Sequence, residues 1–259
     1  MLSTGLAVGV LLVFIALWFL AVRLFNIHPI VLPSPVRVVQ VAWLEREVLG
    51  RGFLVTGSAA LCALLASVII GSCIAMLFSQ SAKVRVAFQP YVVFLQTVPI
   101  VAIAPLLITW FGYYFTTVIM VATIISLFPI ISNVTAGLTS VDRNLVELFR
   151  LNGASRLQTL IKLRVPYAVS HLVLGMRISS GMTVIGAIIG ELFVGSGAQY
   201  AGLGKLMMGW QNLARTDALI AVVFTSTILG LTMLAFVNLL SRVVLYRWTA
   251  SSGFEMTGR

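Results

Sequence analysis

Asp142-Arg-Asn-Leu-Val-Glu-Leu-Phe-Arg-Leu-Asn-Gly-Ala-Ser-Arg-Leu-Gln-Thr-Leu-Ile-Lys-Leu-Arg-Val-Pro166 is a charged, helix-patterned island between hydrophobic segments each long enough to cross a bilayer. Asp142 can cap a short helix in which Leu145, Leu148, Phe149 and Asn152 recur at three- and four-residue spacing. Gly153 then sits where a helix end favours a left-handed residue. Ser155-Arg-Leu-Gln158 has the Ser-x-x-Gln form of a capping box. A second helix is expected to run to about Leu163, with Pro166 at the boundary of the next hydrophobic segment. The island therefore reads as two short helices joined at a glycine hinge, with Arg150, Arg156 and Lys162 open to a partner. A plain solvated loop is the competing reading, and the glycine-then-cap order speaks against it.

Outward from the island the chain is apolar. Of 259 residues, 60% are hydrophobic and 9% charged, against roughly 25% charged in a soluble domain. A spanning helix needs about 20 mostly apolar residues, and six stretches supply them: 5–22, 53–78, 88–111, 115–138, 168–193 and 218–241. The runs are continuous rather than alternating, which excludes a transmembrane β-barrel. The expected fold is all-α and polytopic, with about six transmembrane helices. No fixed-period repeat is present, so residues 1–259 read as one membrane domain with a polar region at about 140–166.

The net charge of +10 would suggest nucleic acid in a soluble protein; here it reads as loop charge that sets orientation. With a cytoplasmic N-terminus, ten of the Lys and Arg residues fall inside, among them Lys83, Arg85 and the five of the island, and six fall outside. The bias places the island in the cytoplasm, although Arg23 opposes it. Met1-Leu-Ser-Thr has no basic residue and no small-residue cleavage site follows, so the first apolar run reads as a retained helix. Cys62 and Cys73 share one helix, roughly 16 Å apart along its axis, too far for a disulfide; they read as packing residues.

Residues 23–52 form the longest outer connection. Pro29, Pro33 and Pro35 keep its start extended, Val36 to Leu49 has helical apolar spacing suited to the interface, and Gly50-Arg-Gly52 is expected to end that element. In the third stretch Pro99 and Pro105 each remove an intrahelical hydrogen bond. The result is either a simple kink or broken backbone bordering a pathway. The glycine-rich 194–216 connection lacks the Lys-Ser/Thr of a phosphate loop, since Leu203 follows Gly202, and reads as a tight outer turn.

Catalytic chemistry is missing. His28 and His171 are far apart, without metal-ligand neighbours at helical spacing, and the seven acidic residues are scattered. Arg177 and Glu191 lie inside the fifth stretch, roughly 21 Å apart along a helix, so they cannot pair with each other. For Arg177 a structural pair with another helix or subunit and a role toward an anionic solute both stand open. Glu191 reads as an interfacial or gate-region group.

The island also resembles the permease subunits of bacterial binding-protein-dependent ABC importers. Their signature is Glu-Ala-Ala, three residues, Gly, nine residues, then Ile-x-Leu-Pro. This chain has Glu147-Leu-Phe, three residues, Gly153, nine residues and Leu163-Arg-Val-Pro166, with Leu148 and Phe149 in place of the alanines. Gly153-Ala-Ser-Arg156 is also typical. Leu32-Pro-Ser-Pro35, Val98 to Pro105, Trp110-Phe-Gly112 and Gly175-Met-Arg-Ile178 resemble the nitrate/sulfonate/taurine branch, which includes importers of pyrimidine vitamin precursors and riboflavin-type solutes.

The resemblance implies a type I ABC importer permease fold in a bacterial inner membrane. The chain would be a non-catalytic subunit, without cofactor of its own, working with a second permease copy, two ATPase subunits that hold ATP and Mg, and an outer solute-binding protein. It implies ATPase coupling through Glu147, Arg150, Asn152, Gly153, Ala154, Ser155, Arg156 and Pro166. Gln96, Thr97, Pro99, Arg177 and Glu191 are the polar candidates for a solute path. A stand-alone secondary transporter would instead show an inverted repeat, and none is seen; a membrane scaffold without a solute path is the third reading.

Overall fold

A computed structural model describes residues 2–194 and 201–252, and among them all regular structure is helical. The chain order is α1 (Leu2–Leu24), α2 (Pro35–Leu44), α3 (Arg46–Gln80), α4 (Ala82–Thr97), α5 (Ile100–Phe111), α6 (Phe115–Thr139), α7 (Arg143–Leu151), α8 (Arg156–Thr159), a π turn (Leu160–Arg164), α9 (Val165–Val194), α10 (Leu203–Asn212) and α11 (Thr216–Ser252). Four unbroken helical stretches are long and apolar enough to cross a bilayer: Arg46–Gln80, Phe115–Thr139, Arg156–Val194 and Thr216–Val243. A fifth crossing needs α4 and α5 together, and these two are bent by 96°. Within α1, Gly9–Leu24 is a shorter apolar helix. All six apolar stretches are thus helical, and the third is a broken helix rather than a mildly kinked one.

The centre of the bundle is α6, held between α3 and α9. Close approach is possible because the facing residues are small. A Cβ on Gly186 of α9 would lie 2.6 Å from the Ala122 Cα of α6, and a Cβ on Gly71 of α3 would meet Ile130 at 2.7 Å. In lipid, helices gain little from burying apolar surface against each other, so contact of this kind carries their association. A polar seam crosses the same layer. The Ser67 and Ser126 hydroxyls are 2.5 Å apart, and Ser179 donates to the Ser126 carbonyl at 2.8 Å. Outside this core the surface is apolar, with Leu12, Phe14, Leu54, Ile69, Ile185, Phe236 and Leu239 exposed, as a bilayer-facing surface requires.

At the end away from the island, α2 lies across the start of α11. Ser34 caps α2, accepting from the Arg37 N–H, and Pro35 occupies its first turn, where a missing N–H costs nothing. Arg37 pairs with Asp217 at 3.1 Å and Arg215 with Glu45 at 3.0 Å. These clasps tie the 25–45 segment to the α10–α11 corner.

Four expectations are corrected. Gly50-Arg-Gly52 ends nothing, because the turn falls at Glu45 and α3 begins at Arg46; Gly52 instead lets the Leu203 and Leu206 side chains pack close. The 194–216 connection is more than a turn: residues 195–200 lie outside the described residues, but 203–212 form α10, which buries Leu203, Gly204 and Trp210. Cys62 and Cys73 are exposed on α3 rather than packed. Pro166 does not mark a boundary, for the reason given next.

Candidate functional site

Each end of the island's helices is fixed by a local hydrogen-bond device. Asp142 Oδ1 accepts from the Asn144 N–H at 2.9 Å, starting α7. At the other end Gly153 adopts φ +73°. Its N–H donates to the Arg150 carbonyl and the Ala154 N–H to the Phe149 carbonyl, both at 3.0 Å. That pair of bonds is the Schellman stop. The capping box follows at once: the Gln158 N–H donates to Ser155 Oγ at 3.2 Å and the Ser155 N–H to Gln158 Oε1 at 2.7 Å. Stop and start are separated by one residue, Ala154, so the angle between α7 and α8 is set by satisfied backbone groups.

From Ser155 onward the chain stays helical through Val194. The π turn at 160–164 shifts the hydrogen-bond register, with the Val165 N–H donating back to the Leu160 carbonyl. Pro166 follows immediately, and the wider turn accommodates a residue that has no N–H to offer. Arg164, within that turn, donates to the Ser79 carbonyl at the end of α3 at 2.8 Å. The island is therefore joined to α9 by continuous helix and to α3 by a charge-assisted hydrogen bond.

The exposed face of this module mixes apolar and polar side chains. Leu145, Leu148, Leu151, Leu157 and Ile161 are exposed, Leu151 at 86%. Glu147, Arg150, Asn152, Gly153, Ser155, Arg156 and Lys162 are exposed among them. Arg150, Ala154, Ser155 and Arg156 share a cleft of about 790 Å³ with Arg164, Ser79 and Gln80. Asn152, Gly153 and Ala154 share a hollow of about 400 Å³ with Leu148, Phe149 and Lys162. Six of the eight coupling candidates line one or the other of these two recesses; Glu147 is exposed on α7 without lining either, and Pro166 lies in the first turn of α9.

The five path candidates are not brought together. Gln96, Thr97 and Pro99 are exposed at the break between α4 and α5. There the Thr97 hydroxyl donates to the Phe94 carbonyl at 3.1 Å, and the Pro99 carbonyl accepts from the Ala102 N–H at 2.9 Å. Arg177, on α9, donates to Ser241 Oγ of α11 at 3.3 Å. It borders an apolar cavity of about 490 Å³ that none of the other four candidates lines.

Glu191 is 1% exposed. Its carboxylate accepts from the Thr56 hydroxyl at 2.9 Å and from the Gly204 N–H at 2.9 Å, while Thr56 Oγ1 accepts from the Leu203 N–H at 2.8 Å. A side chain on Gly202 would fall onto this carboxylate. Glu191 and Thr56 therefore satisfy the first amides of α10 and join α3, α9 and α10. The sequence marked Glu191 as an ionisable group within a span, but nothing in it pointed to Thr56 or to the first amides of α10. Among the described residues no group of three His, Cys, Asp or Glu side chains is placed to hold a metal.

A bundle of apolar helices with one broken crossing, and one capped module with exposed apolar side chains beside it, defines a polytopic membrane protein. The chain belongs to the family of binding-protein-dependent transport system inner membrane components, whose profile matches residues 63–247. Among relatives, it is 32% identical to the riboflavin transport system permease protein RibX of Chloroflexus aurantiacus, over 96% of this chain and 91% of that one. It is 28% identical to the formylaminopyrimidine transport permease protein ThiX of Halalkalibacterium halodurans, over 90% and 92%. It is 30% identical to the putative aliphatic sulfonates permease SsuC of Bacillus subtilis, over 92% and 86%. In fold it matches an inward-facing structure of the MetNI methionine ABC transporter with a TM-score of 0.66 at 19% identity, over 77% of this chain and 97% of that one. The chain is a multi-pass ABC importer permease subunit.

Proposed function

We propose that the 142–166 module couples this permease to a pair of cytoplasmic ATPase subunits, and that a second copy of the chain completes the solute path. The single observation that carries the proposal is the module itself: a glycine stop and a capping box hold five exposed apolar side chains at the end of a bundle. The excess of Lys and Arg on this side supports a cytoplasmic position. ATP and Mg would be held by the ATPases, and this chain would do no chemistry. Closure of the ATPases would move the module, and the movement has two rigid routes inward: unbroken helix into α9, and the Arg164–Ser79 bond into α3. Both helices pack on α6 through small residues, so a rigid-body shift is the natural response. The break at Gln96–Pro99 is the candidate inner constriction, since irregular backbone at membrane depth belongs where a cavity or protein surrounds it.

For the solute we infer a small heterocyclic vitamin or vitamin precursor, delivered by an outer binding protein. RibX, at 32% identity over 96% of this chain, and ThiX, at 28% over 90%, support this reading, while SsuC, at 30% over 92%, supports a sulfonate. A sulfonate such as taurine is the second reading, favoured by the exposed Arg177. The test is a thermal-shift screen of its cognate binding protein against riboflavin, formylaminopyrimidine and taurine, followed by uptake of the hit in proteoliposomes. A shift with taurine alone reverses the solute assignment. Uptake without any ATPase would replace the coupling reading by secondary transport.

A further inference from the structure

A cleft of about 400 Å³ between α3, α4 and α6 lies at the island end of the bundle, outside both the docking module and the five path candidates. Its lining is graded along the helix axes. At the mouth stand Arg85, in the first turns of α4, Thr139, the last residue of α6, and Phe78, two residues from the end of α3; Gln89 lies roughly 6 Å further in along α4 and Ser132 roughly 10 Å further in along α6. Deeper, Val93 lies roughly 12 Å along α4 from Arg85, and Phe128 roughly 16 Å along α6 from Thr139, by helical rise. Among the described residues no acidic side chain lines the cleft, and Arg85 makes no ion pair. The Thr135 hydroxyl, also on the wall, is shut off from solvent without a hydrogen-bond partner.

We propose that this cleft binds an anionic phospholipid, its phosphodiester at Arg85 and Gln89 and an acyl chain lying along Val93 and Phe128. The gradient selects the occupant. A soluble oxyanion would need polar groups around it, whereas a negative head at the membrane edge over an apolar tail needs this order of side chains. Basic pockets between transmembrane helices are suited to such head groups. α4 buries none of its own residues, so a lipid wedged against α6 would hold it in place and steady the Gln96–Pro99 break at its far end.

The experiment is native mass spectrometry of the full-length chain in micelles doped with phosphatidylglycerol or phosphatidylcholine. The wild type is expected to retain phosphatidylglycerol in preference. Arg85→Gln is expected to lower that retention about fivefold and to leave phosphatidylcholine unchanged. Val93→Trp, which fills the apolar part, is expected to lower it without touching the charge, and keeps the test available if Arg85→Gln does not fold. Equal retention of the two lipids by the wild type, or unchanged phosphatidylglycerol retention in either variant, overturns the proposal. Displacement of phosphatidylglycerol by inorganic phosphate at matched ionic strength also overturns it and makes the cleft a free-oxyanion site.

Discussion

Replacing Gly186 with Ala tests the helix contact on which the bundle is built. The added Cβ would stand 2.6 Å from the Ala122 Cα, and ordinary contact begins near 3.4 Å, so α6 and α9 must separate by about 0.8 Å along that line. Overpacking of this size costs about 1–3 kcal/mol. Alanine also raises helix propensity by about 1 kcal/mol over glycine, which would mask part of the loss. Gly181→Ala, five residues earlier on the same helix, removes the ambiguity, because nothing lies within 4 Å of its Cβ position. The propensity gain is common to both variants and cancels in their difference, leaving the packing cost. At about 2–4 °C per kcal/mol for a chain of this size, thermal unfolding in micelles is expected to put Gly186→Ala roughly 2–12 °C below Gly181→Ala. Equal melting temperatures would refute the claim that α6 and α9 touch backbone to backbone at this level.

Thr56→Val deprives Glu191 of a donor and the Leu203 N–H of its acceptor, costing about 1–3 kcal/mol for each group left unpaired; Thr56→Ser keeps both bonds. Amide exchange at Leu203 and Gly204 is expected to quicken in the valine variant alone, and equal protection in the two would remove the anchoring role. Ser155→Ala should cost about 1 kcal/mol at the helix start, read as faster exchange at Gln158 with the global melting point unchanged. Arg164→Ala frees the Ser79 carbonyl and is expected to lower ATP-driven uptake while co-purification with the ATPase persists; full uptake would show that α3 receives no force by this route.

What could be read from the sequence was decided by local rules. Asp142, Gly153 and the Ser155–Gln158 pair act on backbone within a few residues of themselves, so their devices were visible before any fold was known. Pro99 likewise broke the third hydrophobic stretch where it stood. Pro166 was misread because the π turn before it removes the need for its missing N–H, and a register shift of that kind leaves no residue signature. Gly50 and Gly52 looked like a helix stop, yet Gly52 serves side chains of α10 more than 150 positions away. The Glu191 site was illegible for the same reason: its Thr56 partner lies 135 residues earlier, and nothing in either segment announces the other. Arg177 kept two readings in the sequence, and its bond to Ser241 required α11 to be placed beside α9.

The central claim is that the 142–166 module transmits force from an ATPase, and Gly153 tests it most directly. Its φ of +73° favours glycine or asparagine, and no other group approaches its Cβ position, so the bundle has no stake in its side chain. In proteoliposomes holding the permease, its ATPase and its binding protein, Gly153→Asn is expected to retain ATP-driven uptake. Gly153→Trp, which projects a large ring from the docking surface, is expected to abolish uptake with the melting temperature of the bundle nearly unchanged. Wild-type uptake by Gly153→Trp would contradict the account.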